Sequence, residues 1–334
     1  MRLIALASIA MIGAWATVGA QQQAVPQRPP AVFRANTDLV TVPVFIKGNE
    51  NVVARLTADD FVLTDNGVPQ QIQSFSADAL PVNVTVLVET SRAMRDYAKS
   101  VNAHVRELMS QVRPTDRIEI LGIDDYVNVL LPFGSPKRPF DVSQIPTGGM
   151  ASVNDALVAA LLREADPDRQ HLIIAITDTI DTMSALDMAT VRDVARHSSS
   201  TLEVVWVTMS GTAPPSWTTS SERVDAHGRG PAQRRSPQRA QWTPHYEPRP
   251  YRTFADFDVI REAAEVTGGQ LRVGSLIDRN AAIIFKKVYA EFRSSVVLRY
   301  VPTGVARDGW HALSVTVPAH RDLEVRARQG YFVE

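Results

Sequence analysis

The chain has 334 residues, 45% of them hydrophobic, enough for two domains of ordinary size with cores of their own. Its formal net charge of −1 gives no global reason to expect nucleic acid or an anionic membrane surface as partner. It has no cysteine, which excludes disulfides, a thiol nucleophile, thiolate-bound zinc and a lipidated N-terminal Cys.

The chain opens "MRLIALASIAMIGAWATVGAQQQ". Arg2 gives a basic start, Leu3 to Trp15 an apolar run, and Val18-Gly19-Ala20 the small-residue pattern at which signal peptidase cuts. The apolar run is shorter than the roughly 20 residues that span a bilayer, so residues 1–20 read as a cleaved secretory signal rather than an anchor. A periplasmic or secreted protein follows, with no stable membrane insertion after cleavage. Residues 21–32, "QQQAVPQRPPAV", are Gln- and Pro-rich and read as a flexible leader.

From Phe33 to Phe75 the pattern is β-like. "DLVTVPVFI" alternates, "KGNEN" reads as a turn, and "VVARLTADDFVLTDNGVPQQIQSF" reads as further strands around a hairpin turn at Asp65-Asn66-Gly67. These strands are too few to bury a stable core alone. From Val82 strands alternate with helices. "VNVTVLVE", "RIEILGI", "VNVLLPF", "HLIIAIT", "TLEVVWVTM" and "QLRVG" read as strands, with an Asp124-Asp125 turn between the second and third. "AMRDYAKSVNAHVRELMSQV", "VNDALVAALLREA", "SALDMATVRDVARHS", "TFADFDVIREAAEVTG" and "LIDRNAAIIFKKVYAEF" read as helices. Near-continuous apolar strands imply a mostly parallel sheet with helices on both faces.

Residues 211–252 interrupt this alternation. They are rich in Pro, Arg, Ser and Gln and carry no periodicity, which reads as a disordered insertion. Their arginines, interleaved with Trp217, Trp242, Tyr246 and Tyr251, resemble a nucleic-acid-binding composition, but in an exported chain a solvated or partner-binding insertion is the expectation. The tail returns to strands in "SSVVLRYVP", "GWHALSVTV" and "LEVRARQGYF". Both chain ends lack partners of their own. Residues 33–80 and 293–334 are therefore expected to form one discontinuous antiparallel β domain, with an α/β domain at 81–292 inserted in it.

The order "LVETSRAM … DRIEILGIDDYVNVLLPF … GGMASVNDAL … LIIAITD" resembles a von Willebrand factor type A domain. The flanking "LTADDFVLTDNGVPQQIQSF" and the tail are similar to the related family abundant in Acidobacteria. The resemblance implies a Rossmann-like sheet whose upper rim, in many relatives, holds a metal-ion-dependent adhesion site. That site uses Asp-x-Ser-x-Ser after the first strand, a Thr in a later loop and an Asp after the fourth strand. The resemblance places the first motif on Glu89, Ser91 and Ala93 and the last Asp on Asp178. The Thr position falls on Ala151 counted from "NDAL", or on Met150 counted from the glycines, with Ser152 the nearest hydroxyl.

Mg²⁺ requires near-octahedral oxygens at about 2.0–2.1 Å. Here one hydroxyl of three remains and one carboxylate moves outward by a methylene, so no cofactor is expected beyond weak Mg²⁺ or another divalent cation. Ser91 is instead expected to satisfy amides at the start of the following helix. Asp178 is expected to accept hydrogen bonds in its turn, and Asp124 and Asp125 to serve theirs. No Gly-x-Ser-x-Gly elbow, His-Glu-x-x-His helix or Gly-Lys-Ser/Thr loop is present, the seven histidines are scattered, and His104 reads as a surface or boundary residue. The function expected is non-enzymatic binding of a protein partner, in the cell envelope or outside the cell, with no nucleic acid. The binding rim is formed by Glu89, Ser91, Ala93, Met150, Ala151, Ser152 and Asp178. The alternatives are cation-dependent binding through a site completed by water and, in a different class, a metal-assisted hydrolase.

Overall fold

The computed structural model describes residues 39–77, 80–141, 145, 147–163, 166, 168–178, 181–208, 254–275 and 281–333. The expected signal, the leader and the 211–252 insertion lie outside them.

The chain begins with β1 (Val40–Lys47), a helical turn α1 (Glu50–Val53), and strands β2 (Val62–Asp65), β3 (Val68–Gln70) and β4 (Ile72–Ser76). The expected β reading fails between Val52 and Asp60. Asn49 caps α1 by accepting from Asn51 N at 3.0 Å, and Asp60 Oδ2 accepts from Thr57 N at 2.7 Å to hold a 3₁₀ turn at Ala58–Asp60. Capping side chains decide these residues against their strand-like composition. The hairpin turn forms where the sequence places it, with φ 47° at Asn66 and 80° at Gly67.

The central sheet contains β5 (Val82–Glu89), β6 (Arg117–Ile123), β7 (Val127–Gly134), β8 (Gln170–Thr177), β9 (Thr201–Thr208) and β10 (Leu271–Ser275). Its order is β10-β9-β8-β5-β6-β7, parallel throughout except for β6 with β7. This is the expected Rossmann-like α/β sheet. Helices α2 (Ala98–Gln111) and α6 (Ala281–Arg293) cover one face, where Val84, Val86 and Val88 meet Val105, Leu108 and Phe285. Helices α3 (Val153–Leu161), α4 (Met188–His197) and α5 (Phe254–Val266) cover the other, where Leu87 meets Leu157, Ile173 and Val191. Burial on both sides is why β5 reads as an unbroken apolar run.

After α6 come β11 (Val296–Tyr300), β12 (Gly309–Thr316), β13 (Glu324–Ala327) and β14 (Gly330–Val333). They pair with the first strands in two antiparallel sheets, β13-β1-β11-β4 and β14-β12-β2-β3, around a core that includes Val42, Val44, Leu63, Leu298 and Tyr300. The opposite face of β1 turns toward α6, with Phe45 and Phe292 ring centroids 5.9 Å apart. "LEVRARQGYF", read as one strand, is two: the chain switches sheets at Arg328, which is buried. A Cβ at Gly330 would stand 2.4 Å from the His311 carbonyl oxygen, so the second strand requires glycine there.

His104 also departs from expectation. It is buried, 5% exposed, and stacks on Phe285 with ring centroids 5.2 Å apart. Burial pushes its pKa down, as it must for a base whose charged form loses water.

Candidate functional site

Three loops meet beyond the carboxyl ends of β5, β6 and β8, where open α/β sheets place their ligands. β5 ends at Glu89, and Thr90 and Ser91 lead into a 3₁₀ turn at Arg92–Tyr97. The 147–152 loop is tied to that turn by Gly148 N donating to Thr90 O at 2.9 Å and Arg92 N donating to Gly149 O at 3.1 Å. The loop after β8 is tied in turn by Thr182 N donating to Ala151 O at 2.8 Å and Ala151 N donating to Thr182 Oγ1 at 2.9 Å. Asp181 Oδ2 accepts from Asn154 N at 2.8 Å, and Asp155 Oδ1 accepts from Leu186 N at 2.9 Å, so this loop is also fastened to the start of α3.

Glu89 lies at the centre and is 2% exposed. Its Oε1 accepts from Ser91 Oγ at 2.5 Å; its Oε2 accepts from Thr177 Oγ1 at 2.7 Å and from Asp178 N at 3.0 Å. The side chain reaches the end of the neighbouring strand β8, and both its oxygens are engaged by protein donors. Ser91 therefore departs from expectation: it occupies the N-cap position, yet its hydroxyl makes no capping bond and donates to Glu89 instead. Burial, and then the charge of Asp178, push the Glu89 pKa up to about 7, against the opposing pull of the three donors.

Of the remaining rim positions, Asp178 carries a carboxylate whose charge bears on Glu89, and the others supply little oxygen. Ala93 and Ala151 have none in their side chains, and Met150 carries only a thioether. Ser152 Oγ is turned away and donates to Asp124 O at 2.8 Å. Asp124 Oδ1 accepts from Tyr126 N at 3.0 Å and from Asn128 Nδ2 at 2.9 Å, the turn role expected of it. Asp125 does more than serve its own turn, because its Oδ1 accepts from Met150 N at 2.7 Å and anchors the neighbouring loop.

The Ser91 hydroxyl and the Glu89 carboxyl are bonded to each other, and no group of three or more His, Asp or Glu able to hold a metal occurs among the described residues. The sequence reading places Thr182 at the end of the rim loop 178–182 but does not single out Thr177. The position of Thr177 directly before the expected Asp178 is the signal for it, and the bond of Thr182 to Ala151 is visible only in the structure because its partner lies on another loop.

The rim also presents apolar side chains outward. Tyr126 is 75% exposed, Met150 44% and Met183 48%, and the hydrogen bonds of Asp125 and Ala151 bring their three loops together. Enriched aromatic and Met side chains on a stiff frame are the composition of protein-binding surfaces.

No family model matches the chain, and no curated protein matches it. Solved structures similar to it include von Willebrand factor type A domains. One, from Catenulispora acidiphila, is 12% identical with a TM-score of 0.44, over 90% of this chain and 65% of that one. The conserved hypothetical protein BatB from Bacteroides thetaiotaomicron is 15% identical with a TM-score of 0.40, over 63% of this chain and 98% of that one. Proximal thread matrix protein 1 from the mussel byssus is 12% identical with a TM-score of 0.41; the match covers 65% of this chain and 49% of that protein, about half its length. At such identities and TM-scores none of these likenesses decides what the rim does. Its side chains do.

Proposed function

We propose that the chain is an exported, non-enzymatic protein-interaction module, periplasmic or secreted, whose binding face is the rim around Glu89 and which binds its protein partner without a divalent cation. The observation that carries this reading is the exposed group of Tyr126, Met150 and Met183 around a carboxyl whose oxygens are already satisfied within the protein. Export rests on the sequence of residues 1–20. No helix among the described residues is long and apolar enough to cross a membrane.

Two measurements test it. A cation that binds only the folded state stabilises it by RT ln(1 + [L]/Kd), roughly 2.7 kcal/mol at a hundredfold excess over Kd. Melting temperatures with Mg²⁺, with Mn²⁺ and with EDTA are expected to coincide. A rise in Mg²⁺ that Glu89→Ala removes would favour cation-gated binding through a water-completed site, and divalent-dependent turnover would favour a hydrolase.

The second is capture from a cell-envelope extract. The triple variant Tyr126→Ser, Met150→Ser, Met183→Ser is expected to lose roughly tenfold or more in partner affinity, since buried anchors of this kind each contribute above about 1 kcal/mol. Its stability is expected to change little because these side chains face water. EDTA is expected to leave capture by the unmodified protein intact. Undiminished capture by the triple variant would move the interface elsewhere.

A further inference from the structure

At the opposite end of the sheet from Glu89, a cavity of ≈ 340 Å³ opens where β8 and β9 begin, with β1 and β14 alongside. Its size lies in the range of small-molecule sites. Leu39, Pro43, Phe292 and Phe332 supply an apolar wall, and Leu39 and Phe332 remain 48% and 40% exposed.

Two polar side chains on this wall are left over by the fold. Gln170 is 6% exposed, and neither its Oε1 nor its Nε2 has a hydrogen-bond partner. A buried carboxamide without partners is costly, and native proteins rarely keep one without a use. Arg328 is 8% exposed, and its Nε and one terminal nitrogen donate only to carbonyl oxygens, Gly330 O at 2.7 Å and Ser198 O at 3.0 Å. Carbonyls satisfy donors but do not neutralise a charge. Asp65, the buried acid of the neighbouring core, is bonded to His311, Tyr300 and Tyr331. Burial without a matching anion pushes the Arg328 pKa down to about 10.

The rest of the wall leaves this balance cationic. Arg169 is engaged with Asn83 Oδ1 at 2.7 Å and with the carbonyls of Val82 and Thr115. Asp166 is the acid among the lining residues, and its Oδ1 accepts from Asp168 N at 3.1 Å. Two guanidiniums thus face one carboxylate. His171 adds no charge: burial pushes its pKa down to about 4, so at neutral pH its Nε2 donates to Thr85 Oγ1, which itself donates to Glu119, and its Nδ1 accepts from Ser200 Oγ.

We propose that this cavity is a ligand site for a single carboxylate borne on an apolar body, the chemistry shared by an apolar amino acid and a peptide carboxyl terminus. The carboxylate pairs with the Arg328 guanidinium, an adjoining amide or amine satisfies the Gln170 carboxamide, and the apolar side chain lies against Leu39, Phe292 and Phe332. Guanidinium and carboxylate match in planar geometry, and one buried cation suits one negative charge rather than the two of phosphate.

Calorimetric titration of the full chain with N-acetyl-leucine, leucine, N-acetyl-leucinamide and inorganic phosphate tests this. Saturable binding of at least one of the two carboxylates is expected, with the uncharged amide and phosphate weaker by about tenfold or more, as loss of a charge-assisted pair implies. Tighter N-acetyl-leucine identifies a peptide terminus as the source, and tighter leucine a free amino acid. Arg328→Met is expected to abolish binding but also removes the bonds to Gly330 and Ser198, so Gln170→Met provides the cleaner variant. It is expected to raise the melting temperature, by removing an unpartnered amide, while weakening binding severalfold. Equal affinity for acid and amide, equal affinity for phosphate, absence of saturable binding by either carboxylate, or unchanged affinity in Gln170→Met would each overturn the assignment.

Discussion

Asp65→Ala is expected to lower the stability of the folded protein by about 3–5 kcal/mol, the usual cost of removing one partner from a buried charged network. Asp65 stands at the end of β2, fully buried. Its Oδ2 accepts from Tyr300 OH at 2.8 Å and Tyr331 OH at 3.0 Å, and its Oδ1 lies 2.9 Å from His311 Nδ1. One carboxylate from the N-terminal strands thus holds β11, β12 and β14 of the C-terminal segment. Burial raises the pKa of both tyrosines, Tyr331 to about 12, so both remain neutral donors. Alanine would leave His311 Nδ1 without this partner and the two tyrosine hydroxyls with only each other, 3.4 Å apart. Asp65→Asn keeps an acceptor and is expected to cost less, and Tyr331→Phe, which deletes one hydrogen bond, about 1 kcal/mol. Urea unfolding of the three variants gives the order directly. A loss in Asp65→Ala no larger than in Tyr331→Phe would show that the network does not join the chain ends.

Glu89→Gln is expected to flatten the pH dependence of stability between pH 5 and 8. The Glu89 pKa is raised from 4.5 to about 7, by burial first and the charge of Asp178 second, so between those values the folded state holds a proton that the unfolded state releases. The stability this proton carries is complete below pH 4.5 and is lost as pH rises through 7, a span worth up to about 3 kcal/mol. Glutamine mimics the protonated form and removes the dependence. Glu119 and Glu203, whose burial also raises their pKa, act in the same direction. His171, pushed down to about 4, acts oppositely, losing stability as pH falls below its unfolded value of 6.5. Subtracting the variant's unfolding free energy from that of the unmodified protein at each pH cancels all three. A difference that stays constant from pH 5 to 8 would mean that the Glu89 carboxyl is solvated rather than enclosed.

Local pattern carried much of the architecture. "VNVTVLVE" and "HLIIAIT" are apolar on both sides because helices cover both faces of β5 and β8, and that is readable from eight residues at a time. The Asn66-Gly67 turn is readable because few other pairs accept two successive positive φ angles. Residues 52–60 read as strand because β-branched and apolar residues outnumber the two capping side chains, Asn49 and Asp60, that decide their structure. "LEVRARQGYF" reads as one strand because nothing in its alternation marks the point where Arg328 leaves one sheet and Gly330 enters the next.

The sequence by itself determined the strand–helix order, the faces each strand buries, and the absence of side-chain oxygens at Ala93, Met150 and Ala151. Those properties depend on residue type and on spacing of two or three to four residues, and a linear chain displays both. Tertiary structure alone decided what the remaining polar groups do. Ser91 bonds to Glu89 rather than to the helix it precedes, and Glu89 takes a hydroxyl from Thr177, 88 residues away. Asp65 finds Tyr300 across 235 residues, and Arg328 and Gln170 come to line the same cavity. A hydrogen bond is short and directional, so its partner is fixed by which strands become neighbours, and burial then makes each such choice costly to reverse.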